Sequence, residues 1–125
     1  MKKLFLSLML LLPMMVTAEE EAIFTVYEKM PEFPGGIQAM MQYLSENVKY
    51  PAIAQELGIE GRVICQFIVE TDGSITDVHV VRSGGDPSLD KEAVRVFRSM
   101  PKWIPASHKG KLVRAQFTAP LTFRL

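Results

Sequence analysis

Cysteine, histidine and surplus charge are all scarce in this sequence. The one cysteine, Cys65, cannot build an intramolecular disulfide framework. With only two histidines, His79 and His108, the usual Cys/His zinc sites are excluded as well. Fourteen basic side chains meet fourteen acidic ones, so the cationic footprint of a nucleic-acid binder is missing. Long apolar runs are also lacking. The longest, residues 4–18, is 15 residues, which as a helix reaches only ~22 Å of a ~30 Å hydrocarbon core. A chain of 125 residues leaves room for one hydrophobic core and no second.

That short apolar run has a different use. Lys2 and Lys3 precede it, and Val16-Thr17-Ala18 closes it with small residues. A cationic start, a brief greasy stretch and a small-residue cut describe a secretory signal peptide, with the mature chain beginning at Glu19; the alternative is a short uncleaved anchor. Charge beyond the cut is unevenly spread. Residues 19–90 carry 4 basic and 13 acidic side chains, and residues 91–125 carry 8 and 1. Both stretches contribute to one core, so pairing within the molecule is the expected outcome, ahead of a partner patch.

Local patterns divide the exported chain. Residues 22–27 suit a short strand, and Met30-Pro31-Glu32-Phe33-Pro34-Gly35-Gly36 reads as a loop. Ile37, Met40, Met41, Leu44 and Val48 recur at helical spacing and predict an amphipathic helix over 37–47, with its methionines as core filler. Pro51 and Gly58 bracket a short second helix. Val63, Cys65, Phe67 and Val69 then alternate along a strand over 62–70. Asp72-Gly73 predicts a tight hairpin turn, and residues 75–82 the returning strand. Asp86 as N-cap and Pro87 at the first helical position open a helix that Pro101 stops. Residues 102–111 read as a loop, with Trp103 plugging the edge of the core.

The last segment is the most informative. Val113, Ala115, Phe117, Ala119, Leu121, Phe123 and Leu125 alternate with Arg114, Gln116, Thr118, Pro120, Thr122 and Arg124. This is a half-buried strand of 13 residues, where the usual strand has roughly 5–6. Pro120 has no N–H for a ladder, so one edge of this strand faces outward. A long open edge is something most folds shorten or cover; here it is a candidate working surface.

Catalytic constellations are thin. Asp77, His79 and Ser83 are near in sequence but match no nucleophile arrangement, and His108 has no second ligand type nearby. Cys65 alternates inward and reads as an inert buried thiol. No enzyme activity, metal or cofactor is expected.

From Tyr50 onward the chain resembles the C-terminal domain of TonB-family energy transducers. The resemblance rests on Tyr50-Pro51, Ala54, Gly58-Ile59-Glu60-Gly61-Arg62-Val63, Phe67, Val69 and Asp72-Gly73. It continues through Val78, Val80, Ser83, Leu89-Asp90, Ala93, Met100-Pro101-Lys102-Trp103, Pro105, Gly110 and the closing strand. The upstream Met30–Gly36 loop and its helix resemble the extension of such proteins in the Bacteroidetes. What the resemblance implies is an α+β domain, a three-stranded antiparallel sheet with two helices on one face, here with an N-terminal helical extension. It implies three segments: residues 1–18 as leader, 19–48 as extension and 49–125 as the TonB C-terminal-type domain. It also implies a periplasmic protein that binds the short "TonB box" of outer-membrane receptors by strand addition, in energy-coupled nutrient transport.

The expected contact residues are Val113, Arg114, Ala115, Gln116, Phe117 and Thr118 on the last strand, with Tyr50 and Pro51. The family's Gln-Pro-x-Tyr-Pro motif is reduced here to Tyr50-Pro51, with Asn47 and Val48 in the earlier positions. The alternative is a structural or regulatory envelope protein using the same edge for homodimerisation or another partner. A proton-motor complex is expected only if the leader is kept as an anchor.

Overall fold

The computed structural model describes residues 22–125; the expected signal peptide and its cut before Glu19 lie outside the described residues. The elements run β1 (Ile23–Phe24), α1 (Ile37–Asn47), α2 (Ala52–Glu56), β2 (Gly61–Val69), β3 (Ile75–Arg82), α3 (Pro87–Arg98), β4 (Ala106–His108) and β5 (Lys111–Phe123). The main sheet has the order β1-β5-β2-β3, and β4 pairs with the start of β5. The antiparallel β3-β2-β5 set is the expected three-stranded sheet, with β1 and β4 added to it.

Alternation builds the core. Val63, Cys65, Phe67 and Val69 of β2 are buried, and so are Ala119, Leu121 and Phe123 of β5. Leu89, Ala93, Val96 and Phe97 recur at helical spacing along α3 and close over them. Asp86 caps this helix as expected: its Oδ1 accepts from the Ser88 hydroxyl at 2.7 Å and from the Ser88 N–H at 2.8 Å, which lower the carboxyl's pKa in that order. The extension docks on the same side. The Tyr43 hydroxyl donates to the Ser99 carbonyl at 2.7 Å, and Arg95 Nη2 donates to the Asn47 carbonyl at 2.9 Å. Among the described residues no helix is long and apolar enough to cross a membrane.

Two local expectations are corrected, and one expected strand carries an irregularity. The β2–β3 turn is wider than a two-residue hairpin: the Gly73 N–H donates to the Glu70 carbonyl and the Glu70 N–H to the Ser74 carbonyl. Only Gly73 takes a positive φ, +86°. Asp72 instead accepts the Ser74 N–H through Oδ1 at 2.9 Å, an Asx turn. Next, β3 spans Ile75–Arg82 as expected, but it carries a bulge. Its register slips between Gln66 and Ile68, and Asp77 sits at φ 52°, a bulge that brings Ile75 and Val78 onto the core side. Finally, the 102–111 loop contains β4. Ala106, Ser107 and His108 are too few to show an apolar alternation that would reveal it, and it forms because Lys109 (φ 51°) and Gly110 (φ 76°) make a turn back into β5.

Candidate strand-addition edge

β5 is the longest strand, and its two edges differ. Its inner edge pairs with β2 without interruption from Gly61↔Phe123 to Val69↔Ala115. Pro120 lies opposite Ile64 in that ladder and has no N–H to give. In an antiparallel strand alternate residues turn both backbone groups to the same side. Pro120 therefore faces away from β2, and with it Gln116 and Thr118 present their N–H and C=O groups on the outer edge. Ala115, Phe117 and Ala119 serve the inner ladder.

The outer edge is partly taken. β1 runs parallel to β5 with Ile23 opposite Arg114 and Phe24 opposite Ala115. Beyond Ala115, among the described residues, no strand pairs with β5 on that side. Exposed apolar side chains flank the occupied end: Ile23, Val26 and Leu112. On this register the outer edge is covered at Arg114 and at the Gln116 N–H, and open from the Gln116 carbonyl towards Phe123.

The expected contact residues fall into two groups. Val113 pairs with Ala106 of β4, Ala115 is fully buried, and the Phe117 ring lies 5.7 Å from that of Phe67 and 5.0 Å from Trp103. Thr118 Oγ1 accepts from Gln66 Nε2 at 3.2 Å. Tyr50 and Pro51 sit elsewhere. The Tyr50 ring meets Phe123 edge-on at 5.6 Å, its hydroxyl donates to the Ile59 carbonyl, and Pro51 caps α2. Burial, and then the charge of Glu60, raise the Tyr50 pKa. Phe123 lies five residues along β5 from Thr118, about 17 Å, so the Tyr50 cluster belongs to the far end of the strand.

Arg114 is not an exposed charge. Its Nε donates to Glu70 Oε1 at 2.7 Å and its Nη2 to Glu70 Oε2 at 3.2 Å, with about a quarter of either side chain exposed. The hydrogen bond from Arg114 lowers the Glu70 pKa, aided by Thr76 and opposed by burial. This pair, with Lys102 and Asp72 at 4.0 Å, joins the cationic C-terminal third to the acidic remainder, as intramolecular balance requires. A carboxylate with a depressed folded pKa adds stability above its unfolded pKa and loses it as pH falls through the folded value. Stability should therefore decline below about pH 4.5. Glu70→Gln should flatten that part of a Tm-against-pH curve, and an unchanged curve would exclude the pair as its source.

The residues with possible chemistry are used for structure. Ser83 Oγ donates to Asp90 Oδ2 at 2.5 Å and the Gly84 N–H to Asp90 Oδ1 at 2.8 Å, which fixes the β3–α3 loop. His79 is exposed, with Nδ1 2.9 Å from the Asp77 carbonyl. Burial, and then the Asp90 charge, push the Cys65 thiol up to about 11, well away from a reactive thiolate.

Sequence reasoning missed the cover on the edge. Residues 22–27 read as a strand, but their partner could not be read, because a parallel contact of two residues leaves no periodic signal. The contact lies within a larger clasp. The Phe24 ring stands 5.4 Å from His108, the Lys109 N–H donates to Glu28 Oε1 at 2.8 Å, and Lys29 and Ser107 exchange backbone hydrogen bonds of 3.0 Å.

By class this is a helix-covered α+β domain whose long terminal strand is open along part of one edge. Residues 46–125 match the family model for the Gram-negative bacterial TonB protein C-terminal, and the chain belongs to that family. Protein TonB of Helicobacter pylori strain J99 is 37% identical over 62 residues, half of this chain and 22% of its own length. Protein TonB of Pseudomonas aeruginosa PAO1 is 38% identical over 78 residues, covering 61% of this chain and 22% of its own. The chain thus spans under a quarter of the length of these relatives.

Solved structures agree with the fold. The NMR solution structure of the H. pylori TonB C-terminal domain superposes with a TM-score of 0.57 at 27% identity, over 70% of this chain and 78% of that one. The P. aeruginosa TonB C-terminal domain gives 0.52 at 34% identity, over 62% and 77%.

Proposed function

We propose that this chain is a periplasmic TonB-like domain that binds outer-membrane TonB-dependent receptors by strand addition, in energy-coupled transport across the outer membrane. The observation that carries this reading is the outward-facing edge of the long β5 strand, covered only by the two-residue β1 at its start and open beyond Gln116, in a member of the TonB C-terminal family. A receptor's TonB box would lie along residues 113–118, taking backbone hydrogen bonds from the outward groups of Arg114, Gln116 and Thr118. Alternate side chains of the peptide would supply selectivity. The binding is non-catalytic and uses no cofactor. Tyr50 and Pro51, at the far end of β5, would contact receptor surface other than the box itself.

The test uses synthetic TonB-box peptides titrated into wild type, Gln116→Pro and Thr118→Pro, with sedimentation alongside. Both N–H groups face outward, so each proline spares the β2 ladder and the variants should stay folded. Each net hydrogen bond is worth only about 0.5–1.5 kcal/mol, but a proline ring also bars close approach of the incoming strand, so peptide binding should be lost. Unchanged affinity in both folded variants would remove this strand as the binding site. If wild type never binds peptide, and dimerises in a way the prolines abolish, the edge serves self-association instead.

A further inference from the structure

We propose that β1 is a built-in occupant of the strand-addition edge, so that a partner strand must displace residues 22–24 of the same chain before it can bind. The inference rests on the receptor reading for the identity of the partner, but the occupancy itself follows from the strand register. With Ile23 opposite Arg114 and Phe24 opposite Ala115, parallel pairing directs the outward groups of β5 to the residues flanking each facing one. Phe24 then gives its N–H to the Arg114 carbonyl and receives the Gln116 N–H. These are backbone groups that a peptide along residues 113–118 requires. Two strands cannot hold them at once.

The attachment is suited to release. β1 has only two paired residues, with Ile23 46% exposed and Val26 80% exposed. Residues 25–28 then bend without joining any strand, and the chain is caught again at Lys29↔Ser107 and Glu32↔Ile104. The stretch before Lys29 can therefore peel from β5, giving up the Phe24–His108 ring contact and the Lys109 N–H bond to Glu28, while the rest of the extension stays docked, with Phe33 buried against Trp103. All of β1 precedes residue 46, where the match to the family domain begins. The extension thus adds a flap to the domain, and access to the edge depends on how often the flap is open. If the flap is closed about nine-tenths of the time, partner affinity is reduced roughly tenfold.

The probe is a synthetic copy of the chain's own residues 22–29, Ala-Ile-Phe-Thr-Val-Tyr-Glu-Lys, titrated into wild type and Phe24→Pro. The proline removes the N–H directed at Arg114 and releases the flap. The peptide should bind Phe24→Pro roughly tenfold more tightly than wild type, and Gln116→Pro in the same background should abolish the gain. Thermal unfolding checks that each protein is folded. Should Phe24→Pro not fold, Glu28→Ala, which removes the acceptor of the Lys109 N–H, takes its place. Equal affinity for wild type and the released variant, or binding to neither, overturns the proposal. A TonB-box peptide run in parallel should show the same gain. If it binds neither protein while the chain's own peptide shows the gain, the receptor reading fails and the self-occupied edge stands.

Discussion

Phe67→Ala is expected to destabilise the domain by about 3–5 kcal/mol, a large share of the roughly 5–15 kcal/mol that holds most domains together. Phe67 is 1% exposed, and its ring is the hub of the aromatic core. Phe97 of α3 lies 5.7 Å from it, Trp103 lies 5.5 Å away edge-on, and Phe117 of β5 lies 5.7 Å away. Truncation would leave three rings around a void that none of them can fill, because α3, the 103 loop and β5 are each fixed by other contacts. For a domain of about 100 residues each kcal/mol moves Tm by about 4–8 °C, so a fall of at least ~12 °C should appear in a thermal melt. Phe67→Leu, which keeps most of the volume, should lose less than half as much. A Phe67→Ala melt within about 4 °C of wild type would show that the ring cluster is not the centre of the core.

The consequence reaches the edge. Phe117 belongs to the same cluster and sits between Gln116 and Thr118, so the core ring that holds β5 in place lies between two outward-facing residues. A cavity at Phe67 should loosen the strand as well as the fold. Peptide affinity should fall in Phe67→Ala even under conditions where most molecules remain folded.

Much of the fold can be read from residue order, because its main elements obey simple periods. The 3.6-residue spacing of Ile37, Met40, Met41 and Leu44 marks α1, and the two-residue alternation of Val113 to Phe123 marks β5. Asp86-Pro87 marks the start of α3. The features that escaped depend on contacts with no local period. Ser107 and His108 become strand because a turn at Lys109-Gly110 folds them onto β5. Asp77 becomes a bulge because its neighbours must meet β2 in a shifted register. Ile23 and Phe24 pair with residues some ninety positions away. Pro120 carried more information than its sequence context alone revealed. It indicated that β5 has an outward edge, and once its place opposite Ile64 was known it identified which residues face outward. Arg114 reads as a solvent-exposed charge by alternation, yet Glu70 lies at the end of the neighbouring strand and takes it in a two-bond pair.

The second large effect is expected at Gly73, for a reason that neither composition nor alternation discloses. Its φ of +86° already disfavours a side chain, by roughly 1–2 kcal/mol for alanine in the left-handed region. Space makes the change worse. A Cβ built on Gly73 would lie 2.1 Å from the Trp103 carbonyl oxygen, which belongs to the backbone and cannot rotate away. The two segments are tied there, since the Trp103 N–H donates to the Gly73 carbonyl at 2.8 Å. Alanine must therefore push the 103 loop off the hairpin, breaking that hydrogen bond and lifting Trp103, 4% exposed, out of contact with Phe67 and Phe117. The loss should exceed the backbone term alone and reach about 3 kcal/mol or more, comparable with a large core truncation. Trp103 is the only tryptophan in the chain, so its fluorescence reports the displacement directly: emission should shift to the red in Gly73→Ala, together with a lower Tm. Asp72→Ala, which removes the Asx turn beside it but adds no Cβ against the loop, should leave the emission unchanged. A Gly73→Ala protein with native emission and native Tm would mean that the hairpin and the tryptophan loop are not held in the close contact on which both the core and the edge strand rest.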